Sequence, residues 1–222
     1  MTARRKSPKA DPAMLRQAVL DAALVHAAED GFSERTLTRA ATDAGAGCEM
    51  MLHLFPEGPA SLVAFLSERT DAEMEMRLAA QDMAGMKVRE RIATAVLTRL
   101  EIMRPHKEAA RRAAAFLMMP ANAALAMKLV YQTVDHMWRA AGDTATDFNF
   151  YTKRAILAGV YTTTLMRWFT DNTPDESETR AFLDARIANV MQFEKFKAEM
   201  KARTKDMPSF ADILKGFSAP RS

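Results

Sequence analysis

Three helices joined by short turns are predicted by residues 11–59, which read DPAMLRQAVLDAALVHAAEDGFSERTLTRAATDAGAGCEMMLHLFPEGP. Asp11 and Pro12 give an N-cap followed by proline at the first helical position, and Gly31 ends the first helix. The second helix is predicted over about 34–44 and the third, shorter one over 48–55. This order of helices and tight turns is the sequence pattern of a helix-turn-helix module.

The rest of the chain is also predicted to be helical. Only eight glycines and nine prolines occur in 222 residues, and no segment alternates apolar and polar residues for long enough to predict a strand. The last helix is given a start signal by Thr173 as cap, Pro174 at the first position and Glu176 three residues after the cap. The predicted helices run over about 59–84, 87–103, 105–118, 120–141, 147–170 and 174–205.

The predicted fold class is therefore all-α. A helix-turn-helix-shaped module over residues 11–58 is followed by a larger helical domain over residues 59–204. A basic arm over residues 1–10 precedes the module and an amphipathic tail over residues 205–222 follows the domain. The longest stretch without charge, residues 113–127, is shorter than the ~20 residues of a spanning helix, so we expect no transmembrane segment.

Motifs of catalysis and metal binding are missing from the sequence. The four histidines are scattered, and the absence of HxH, HExxH and ExxH pairs removes the usual helical spacings of metal ligands. The single cysteine, Cys48, excludes an internal disulfide, and without a CxxC partner it is predicted to be a small buried apolar side chain. His26 lies on an apolar helical stripe and is predicted to be a structural histidine. We expect neither an enzyme nor a catalytic cofactor.

The helix-turn-helix module lacks the chemistry of a DNA reader. A recognition helix needs Arg, Lys, Asn or Gln for base edges, with basic neighbours for phosphates. Residues 40–68 contain no lysine or arginine and carry a net charge of −4, so they would repel a duplex. The net charge of +3 arises at the two ends: residues 1–9 carry +4 and residues 193–222 carry +3. We expect no nucleic acid partner.

The C-terminal tail has the pattern of an amphipathic helix behind a basic segment. Its apolar residues recur at helical spacing, and five lysines and arginines lie between residues 195 and 205. Two interpretations are open from the residues alone: contact with an anionic membrane surface, or docking on the chain's own domain or on a second subunit. The residues concerned are Phe210, Ile213, Leu214 and Phe217.

The helix predicted over residues 147–170 has two apolar stripes. One stripe includes Tyr151 and Ala158, and the other includes Phe150, Leu157 and Tyr161. A helix that is apolar on two sides must be covered on two sides. Packing within the chain covers one side, so the other needs a subunit partner, a bound apolar ligand or both.

Several segments make the sequence similar to one known family. Residues 141–154 read AGDTATDFNFYTKR and residues 182–187 read FLDARI, and Arg104-Pro105 and the FPEGP run at residues 55–59 accompany them. With these segments the chain resembles the ubiquinone-biosynthesis accessory lipid-binding family, coenzyme Q biosynthesis protein nine. The resemblance covers about residues 12–200, and the G-D-x-x-T-D-F-N-x-Y-x-x-R run makes it specific.

The resemblance implies a TetR-repressor-like helical bundle, usually a homodimer, that binds lipids including isoprenoid quinone precursors. It implies a non-enzymatic role in presenting a quinone intermediate to the di-iron demethoxyubiquinone hydroxylase, with the C-terminal helix on the bilayer. Without a long presequence the expected member is bacterial and lies at the cytoplasmic face of the inner membrane; a eukaryotic member would lie at the matrix face of the mitochondrial membrane. The hydroxylase-facing residues implied here are Asp143, Asp147, Phe150, Tyr151 and Arg154.

Large, adaptable apolar residues on the central and late helices fit a lipid pocket. Methionine fills irregular gaps, and long flexible ligands need adaptable walls. Each of these residues taken alone is better explained by plain core packing, and it is as a group that they favour a lipid-sized cavity. They are Met103, Phe116, Met118, Met119, Met127, Trp138, Tyr161 and Trp168. The alternative function is a TetR-like transcriptional regulator with an apolar effector, which the module's shape favours and its missing cations oppose.

Overall fold

The computed structural model describes the backbone of residues 11–143 and 148–205. Within these ranges it consists of α-helices and three single 3₁₀ turns, and contains no strand, which confirms the all-α prediction. The 3₁₀ turns each contain a proline and lie at Arg104–His106, Pro120–Asn122 and Pro174–Glu176. The helices are α1 (Pro12–Asp30), α2 (Glu34–Asp43), α3 (Cys48–Leu54), α4 (Pro59–Ala79), α5 (Val88–Met103), α6 (Lys107–Leu117), α7 (Ala123–Ala140), α8 (Phe148–Thr170) and α9 (Ser177–Lys205).

The helix-turn-helix module begins with the capping that the sequence predicts. The Asp11 carboxylate accepts a hydrogen bond from the backbone N–H of Ala13 at 3.0 Å, and the Ser33 hydroxyl accepts one from the N–H of Thr36 at 3.2 Å. Gly31 takes a positive φ of 70°, a conformation that glycine adopts without strain, and this ends α1.

Two hydrophobic clusters fill the interior. The first joins α1, α2, α3 and the start of α4, and residues of α6 and α7 close it. The second joins the end of α4 with α5, α7, α8 and α9. Helix α4 belongs to both clusters, because Leu62 and Val63 lie in the first and Met74 and Leu78 in the second.

The predicted fourth helix is five residues too long. It ends at Ala79 instead of residue 84. The connection to α5 is a turn in which the Asp82 carboxylate accepts from the N–H of Ala84 at 3.0 Å. Arg91 of α5 holds this turn by donating to the carbonyl oxygens of Ala84 and Met86 at 3.2 and 3.1 Å. The connection that follows the end of α4 is therefore held by a side chain of α5.

The predicted start of the last helix is also different. The segment from Pro174 to Glu176 forms a 3₁₀ turn, and Asp175 and Glu176 both have a φ of 54°, outside the helical region. Helix α9 begins only at Ser177. Glu176 is not used in a capping box, because its carboxylate accepts from the indole N–H of Trp168 at 2.6 Å.

Two further predictions concern single side chains of the module. The prediction that Cys48 is buried is wrong: as the first residue of α3 it faces solvent. His26 is half-buried and its Nε2 lies 2.6 Å from a carboxylate oxygen of Asp43, so its ring has a partner within the fold, as expected.

Within the described residues, no single helix is both long and apolar enough to cross a membrane. Only the pair Val88–Leu117 and Pro120–Ala140 reaches that length and hydropathy together, and the two halves are bent by 90° relative to each other. Much of both halves lies in the two hydrophobic clusters, as expected of core helices.

Candidate functional site

A buried arginine organises the interior of the larger domain. Arg99 of α5 is only 4% exposed. Its Nε donates to Asp71 of α4 at 2.7 Å, one Nη donates to the Tyr161 hydroxyl of α8 at 2.5 Å, and the other donates to the Ser67 hydroxyl at 3.1 Å. Asp71 also accepts from the Thr133 hydroxyl of α7 at 2.9 Å. These five residues, called here the Arg99 centre, connect four helices.

The electrostatics of the Arg99 centre keep the arginine charged and the phenol neutral. Burial by itself lowers the pKa of Arg99, but the oxygen of Tyr161 and the carboxylate of Asp71 stabilise the cation, and the net direction is upward. Burial raises the pKa of Tyr161, although Arg99 acts in the opposite direction. Tyr161 is therefore a neutral hydroxyl at physiological pH.

The Tyr161 hydroxyl can still donate a hydrogen bond to a further acceptor. Within the described part of the chain, Arg99 is its one hydrogen-bonding partner, and in that bond the hydroxyl oxygen accepts. A hydroxyl can donate and accept at once. The proton is thus available to an oxygen placed in the adjoining cavity.

A cavity of about 90 Å³ lies against the Arg99 centre. Four members of the centre, Arg99, Tyr161, Ser67 and Thr133, form its polar part. The remaining walls are mostly apolar and come from α4, α6, α7 and α8. Examples are Val63, Leu66, Ala114, Leu129, Val130 and Leu165.

A second cavity of about 240 Å³ adjoins the first, among α1, α4, α5 and α6. Leu66, Thr70, Met103 and Ala110 line both cavities. Met103 has three rotatable side-chain bonds and a deformable thioether, and its sulfur accepts from an Nη of Arg99 at 3.4 Å. The two adjoining cavities are together called the chamber here; the larger one is also lined by the polar residues Arg69, Glu73 and His106.

The structure distributes the eight predicted lipid-binding residues over several environments. Met103 and Tyr161 line the cavities just described. Trp138 lies in a groove among α5, α8 and α9, and Met127 in a surface groove between α7 and α8. Phe116 packs on the first hydrophobic cluster, Trp168 is fully buried in the second, and Met118 and Met119 are exposed where α6 meets α7. Their binding role stays a prediction.

Four of the five predicted hydroxylase-facing residues form a compact cluster. Arg154 is 2% exposed and donates to Asp135 at 2.6 Å and to Asp143 at 3.3 Å. Its guanidinium carbon lies 3.3 Å from the centre of the Phe150 ring, and that ring packs edge-on against Tyr151. Tyr151 is 66% exposed. Buried Arg154 thus positions the Phe150 ring, which packs against Tyr151, and Tyr151 is the member of this pair that faces solvent. Asp147 lies outside the described residues.

One apolar stripe of α8 stays partly uncovered. Tyr151, Ala155 and Ala158 form, with Met127 and Tyr131 of α7, a surface groove of about 440 Å³. The other stripe is covered, because Leu157, Tyr161 and Trp168 are all buried. One side of this helix is thus covered within the chain, as expected; whether a subunit partner, a bound apolar ligand or both cover the other side stays a prediction.

The Arg99 centre was missed by reasoning from the sequence, although a signal exists. Val96, Arg99, Leu100 and Met103 share one face of α5, so a charged residue stands on an apolar stripe. Asp71 occupies the same kind of position before Met74 on α4. A cation and an anion on two apolar stripes indicate a buried pair.

The part of the chain that the structure describes contains no group of three or more His, Cys, Asp or Glu side chains that could hold a metal ion. The predicted membrane-contacting residues Phe210, Ile213, Leu214 and Phe217, and the basic arm over 1–10, lie outside the described residues. The arrangement at the Arg99 centre has the chemistry of binding: a hydrogen-bond donor beside apolar walls.

The fold defines the class of protein first: it is a TetR-like helical bundle. The crystal structure of the TetR transcriptional regulator from Nitrosomonas europaea ATCC 19718 matches with a TM-score of 0.63, over 80% of this chain and 97% of that chain. The sequences are 19% identical, so the likeness concerns the fold alone.

The family follows from sequence comparison. The COQ9 family model matches residues 123–194. The mitochondrial ubiquinone biosynthesis proteins COQ9 of Bos taurus and Homo sapiens are 33% and 32% identical over 189 residues, which is 80% of this chain. The chain is a relative of the COQ9 proteins, and the resemblance predicted from the sequence is confirmed. It spans 57% and 58% of the length of these two relatives.

Proposed function

We propose that this chain is a non-enzymatic lipid-binding accessory protein of ubiquinone biosynthesis, which presents a quinone intermediate to the demethoxyubiquinone hydroxylase at the membrane. The observation that carries the proposal is the mostly apolar smaller cavity beside the Arg99 centre, with the Tyr161 hydroxyl as a donor, in a chain related to proteins named for ubiquinone biosynthesis. The ubiquinone role rests on those relatives, and the lipid role rests on the chamber.

The chamber offers each part of a polyprenyl quinone intermediate a suitable partner. An oxygen on the quinone ring can accept a hydrogen bond from the Tyr161 hydroxyl, whose oxygen in turn accepts one from Arg99 at 2.5 Å. The polyprenyl tail gains about 0.8 kcal/mol for each methylene-sized group removed from water. The larger cavity of the chamber adds space for that tail.

The hydroxylase is proposed to contact the surface that Tyr151 presents. Arg154, which is buried, packs on the Phe150 ring, and that ring packs edge-on against Tyr151. An aromatic side chain held in this way is typical of an interface anchor. The partly uncovered groove of α7 and α8, with exposed Met127 and Tyr131, is proposed to be covered by the second copy in a homodimer.

The membrane contact is assigned to the tail, through Phe210, Ile213, Leu214 and Phe217. The curated relatives are named mitochondrial proteins. For this chain we propose a peripheral position on the inner membrane, at the cytoplasmic face in a bacterium or the matrix face in a mitochondrion.

The test is lipid extraction from protein purified from its own host, followed by mass spectrometry. Wild type is expected to carry an isoprenoid quinone intermediate, and Tyr161→Phe, which removes only the hydroxyl, is expected to carry severalfold less. Thr163→Val, which removes an exposed hydroxyl of α8 outside the chamber, is the matched control and should equal wild type. Absence of any quinone-type lipid from wild type, or equal loads in all three proteins, would contradict the proposal.

The membrane part has a separate test. Flotation with anionic vesicles is expected to fall severalfold in the variant Phe210→Ser/Phe217→Ser, because two of four apolar contacts are lost. The variant Ser209→Ala/Ser218→Ala alters neighbouring residues of the tail without touching its apolar face. Unchanged flotation of the Phe210→Ser/Phe217→Ser variant would contradict the proposal that the tail contacts the membrane.

A further inference from the structure

A groove separate from the Arg99 centre lies among α5, α8 and α9, with Trp138 of α7 in its wall. Its volume is about 290 Å³, close to the lower end of the ~300–1,000 Å³ range of ligand sites. The walls include Val88 and Ile92 of α5, Leu157 and Val160 of α8, and Ile187 and Val190 of α9. It shares no residue with either cavity of the chamber.

The α9 wall of this groove is lightly packed. Leu183 is the last fully buried side chain of α9 among the described ones; Ile187 and Val190 are only half-buried, and Met191 is 43% exposed. Elements with few buried apolar contacts move at low free-energy cost. The groove can therefore widen by displacement of α9 without disturbing the core below Leu183.

Among the residues whose side chains the structure describes, the charged members of the groove lining are Lys87 and Arg89, both cations. A neighbouring pocket shares Arg89, Ile187 and Met191 with the groove and also contains Glu90 and Asp184. Glu90, which follows Arg89, already accepts from the backbone N–H of Lys87 at 2.9 Å, and Arg89 approaches it only to 3.8 Å. Two cations beside an apolar groove are electrostatically complementary to an amphiphile with an anionic head.

We propose that this groove binds the hydrocarbon chain of a long-chain fatty acid, with the carboxylate held by Lys87 and Arg89. The narrow apolar walls take a single chain, and the two cations supply the partner that a carboxylate needs. A neutral quinone ring carries no negative charge to pair with Lys87 and Arg89. The groove is therefore proposed as a second site that binds a different class of ligand. It goes beyond the proposed function and does not depend on it.

The test uses Trp138 as a reporter. A fatty acid brominated along its chain quenches a tryptophan that it touches, so dibromostearate is titrated into delipidated full-length protein and tryptophan fluorescence is followed. Saturable quenching is expected in wild type and is expected to be lost in Trp138→Phe. Trp168, fully buried in the second cluster, should keep its emission. Quenching that persists in Trp138→Phe would overturn the assignment to this groove.

Two pairs of variants then separate the apolar wall from the cations. Val190→Phe fills the groove and is expected to raise the Kd at least fivefold, whereas Asn189→Phe, on the exposed neighbouring position, should not. Lys87→Gln/Arg89→Gln is expected to raise the Kd three- to tenfold, and Lys128→Gln/Arg112→Gln, with the same loss of charge on other helices, should not change it.

The ligand's own charge gives a readout that survives poor folding of any variant. In wild type the methyl ester of dibromostearate is expected to bind three- to tenfold more weakly than the free acid. Equal affinity of acid and ester would overturn the role of Lys87 and Arg89. If Val190→Phe changes the oligomeric state in light scattering while quenching stays intact, the groove is an interface between copies and the proposal is wrong.

Discussion

The Asp171 carboxylate accepts two hydrogen bonds from Thr179, one from its backbone N–H at 2.7 Å and one from its hydroxyl at 2.6 Å. The other carboxylate oxygen accepts from the N–H and the hydroxyl of Thr173 at 2.9 and 2.6 Å. Asp171 directly follows α8, and Thr179 lies in the first turn of α9. One carboxylate therefore links the end of α8 to the start of α9 and satisfies one of the free N–H groups of the first turn of α9, that of Thr179.

The first prediction concerns the stability that Asp171 supplies. Asp171→Asn is expected to lower the free energy of unfolding by about 1–3 kcal/mol, because an amide cannot accept on both sides and its NH₂ group faces hydroxyl donors. Urea unfolding followed by circular dichroism measures the change. Asp175→Asn is the control, because Asp175 is exposed and asparagine tolerates its positive φ. Equal stability of the two variants would contradict the prediction.

The same residue predicts a pH dependence. Burial raises the pKa of Asp171, but the four hydrogen bonds from Thr173 and Thr179 outweigh it and hold the pKa well below its ordinary value. A carboxylate with a lowered folded-state pKa stabilises the fold fully above its unfolded value, about 3.9, and loses that contribution as the pH falls further. Wild type should lose more stability than Asp171→Asn between pH 5 and pH 2. Parallel stability curves over that window would refute this.

The cap of α9 by Asp171 could not be predicted from local sequence. The run from Thr173 to Glu176 has the spacing of a capping box, and it does stand at the start of the last helix. The box is not formed because Trp168 and Arg104 recruit the Glu176 carboxylate, and the cap is supplied by Asp171. Proline and glycine positions predicted the order of the helices, but not the end of α4 or the start of α9. Which side chain satisfies a helix end depends on neighbours in space.

The second prediction concerns Gly58, at the entry to α4. Its φ of 58° and ψ of −131° favour glycine, and a Cβ there would overlap Oε1 of Glu34. Gly58→Ala is expected to lower the free energy of unfolding by about 1–3 kcal/mol. Gly85→Ala, where a Cβ meets nothing, is the control in the same thermal melt. Adding Glu34→Ala should recover only the steric part; full recovery would show that the backbone is unstrained.

The third prediction separates the buried ion pair from a surface pair. Arg99→Met leaves Asp71 as a buried unpaired charge and is expected to cost about 3–5 kcal/mol. Arg39→Met removes the exposed pair with Asp30 and should cost about 0–1 kcal/mol. Denaturant unfolding of both variants measures the difference. Similar values for the two would mean that the Arg99 centre is as well solvated as the surface.

A double variant checks the origin of that cost. Asp71→Leu combined with Arg99→Met removes both charges, and its destabilisation is expected to be smaller than the sum of the two single effects. Additive effects would mean that Arg99 and Asp71 contribute independently.

The fourth prediction concerns nucleic acid. The net charge of −4 over residues 40–68 covers the end of α2, all of α3 and the start of α4, so the module should not bind a duplex at 100–200 mM salt. Fluorescence anisotropy with labelled genomic fragments measures this. Weak binding at low salt should vanish when Arg4, Arg5, Lys6 and Lys9 are replaced by glutamine. Tight binding with a steep salt dependence, kept in that variant, would restore the interpretation as a transcriptional regulator.

The site was predictable only in part, for a physical reason. The helical periodicity of apolar residues marks faces, and of the predicted lipid-binding residues Met103 and Tyr161 lie on such faces and line a cavity beside the Arg99 centre. Met118 and Met127 have the same composition signal, yet they are 75% and 76% exposed. Whether a residue on an apolar face meets a cavity, a core or solvent depends on how helices pack across the bundle, which periodicity does not encode.

The position of α4 in both hydrophobic clusters has a consequence for cooperativity. Leu62 at one end and Met74 at the other are fully buried in different clusters, and Leu66 and Thr70 between them line the chamber. Packing lost around Leu62 removes support from the same helix that carries Leu66 and Thr70 about one to two turns further on. The module and the larger domain should therefore denature in one calorimetric transition, and a destabilising change in the module should loosen the grip on a ligand far from it.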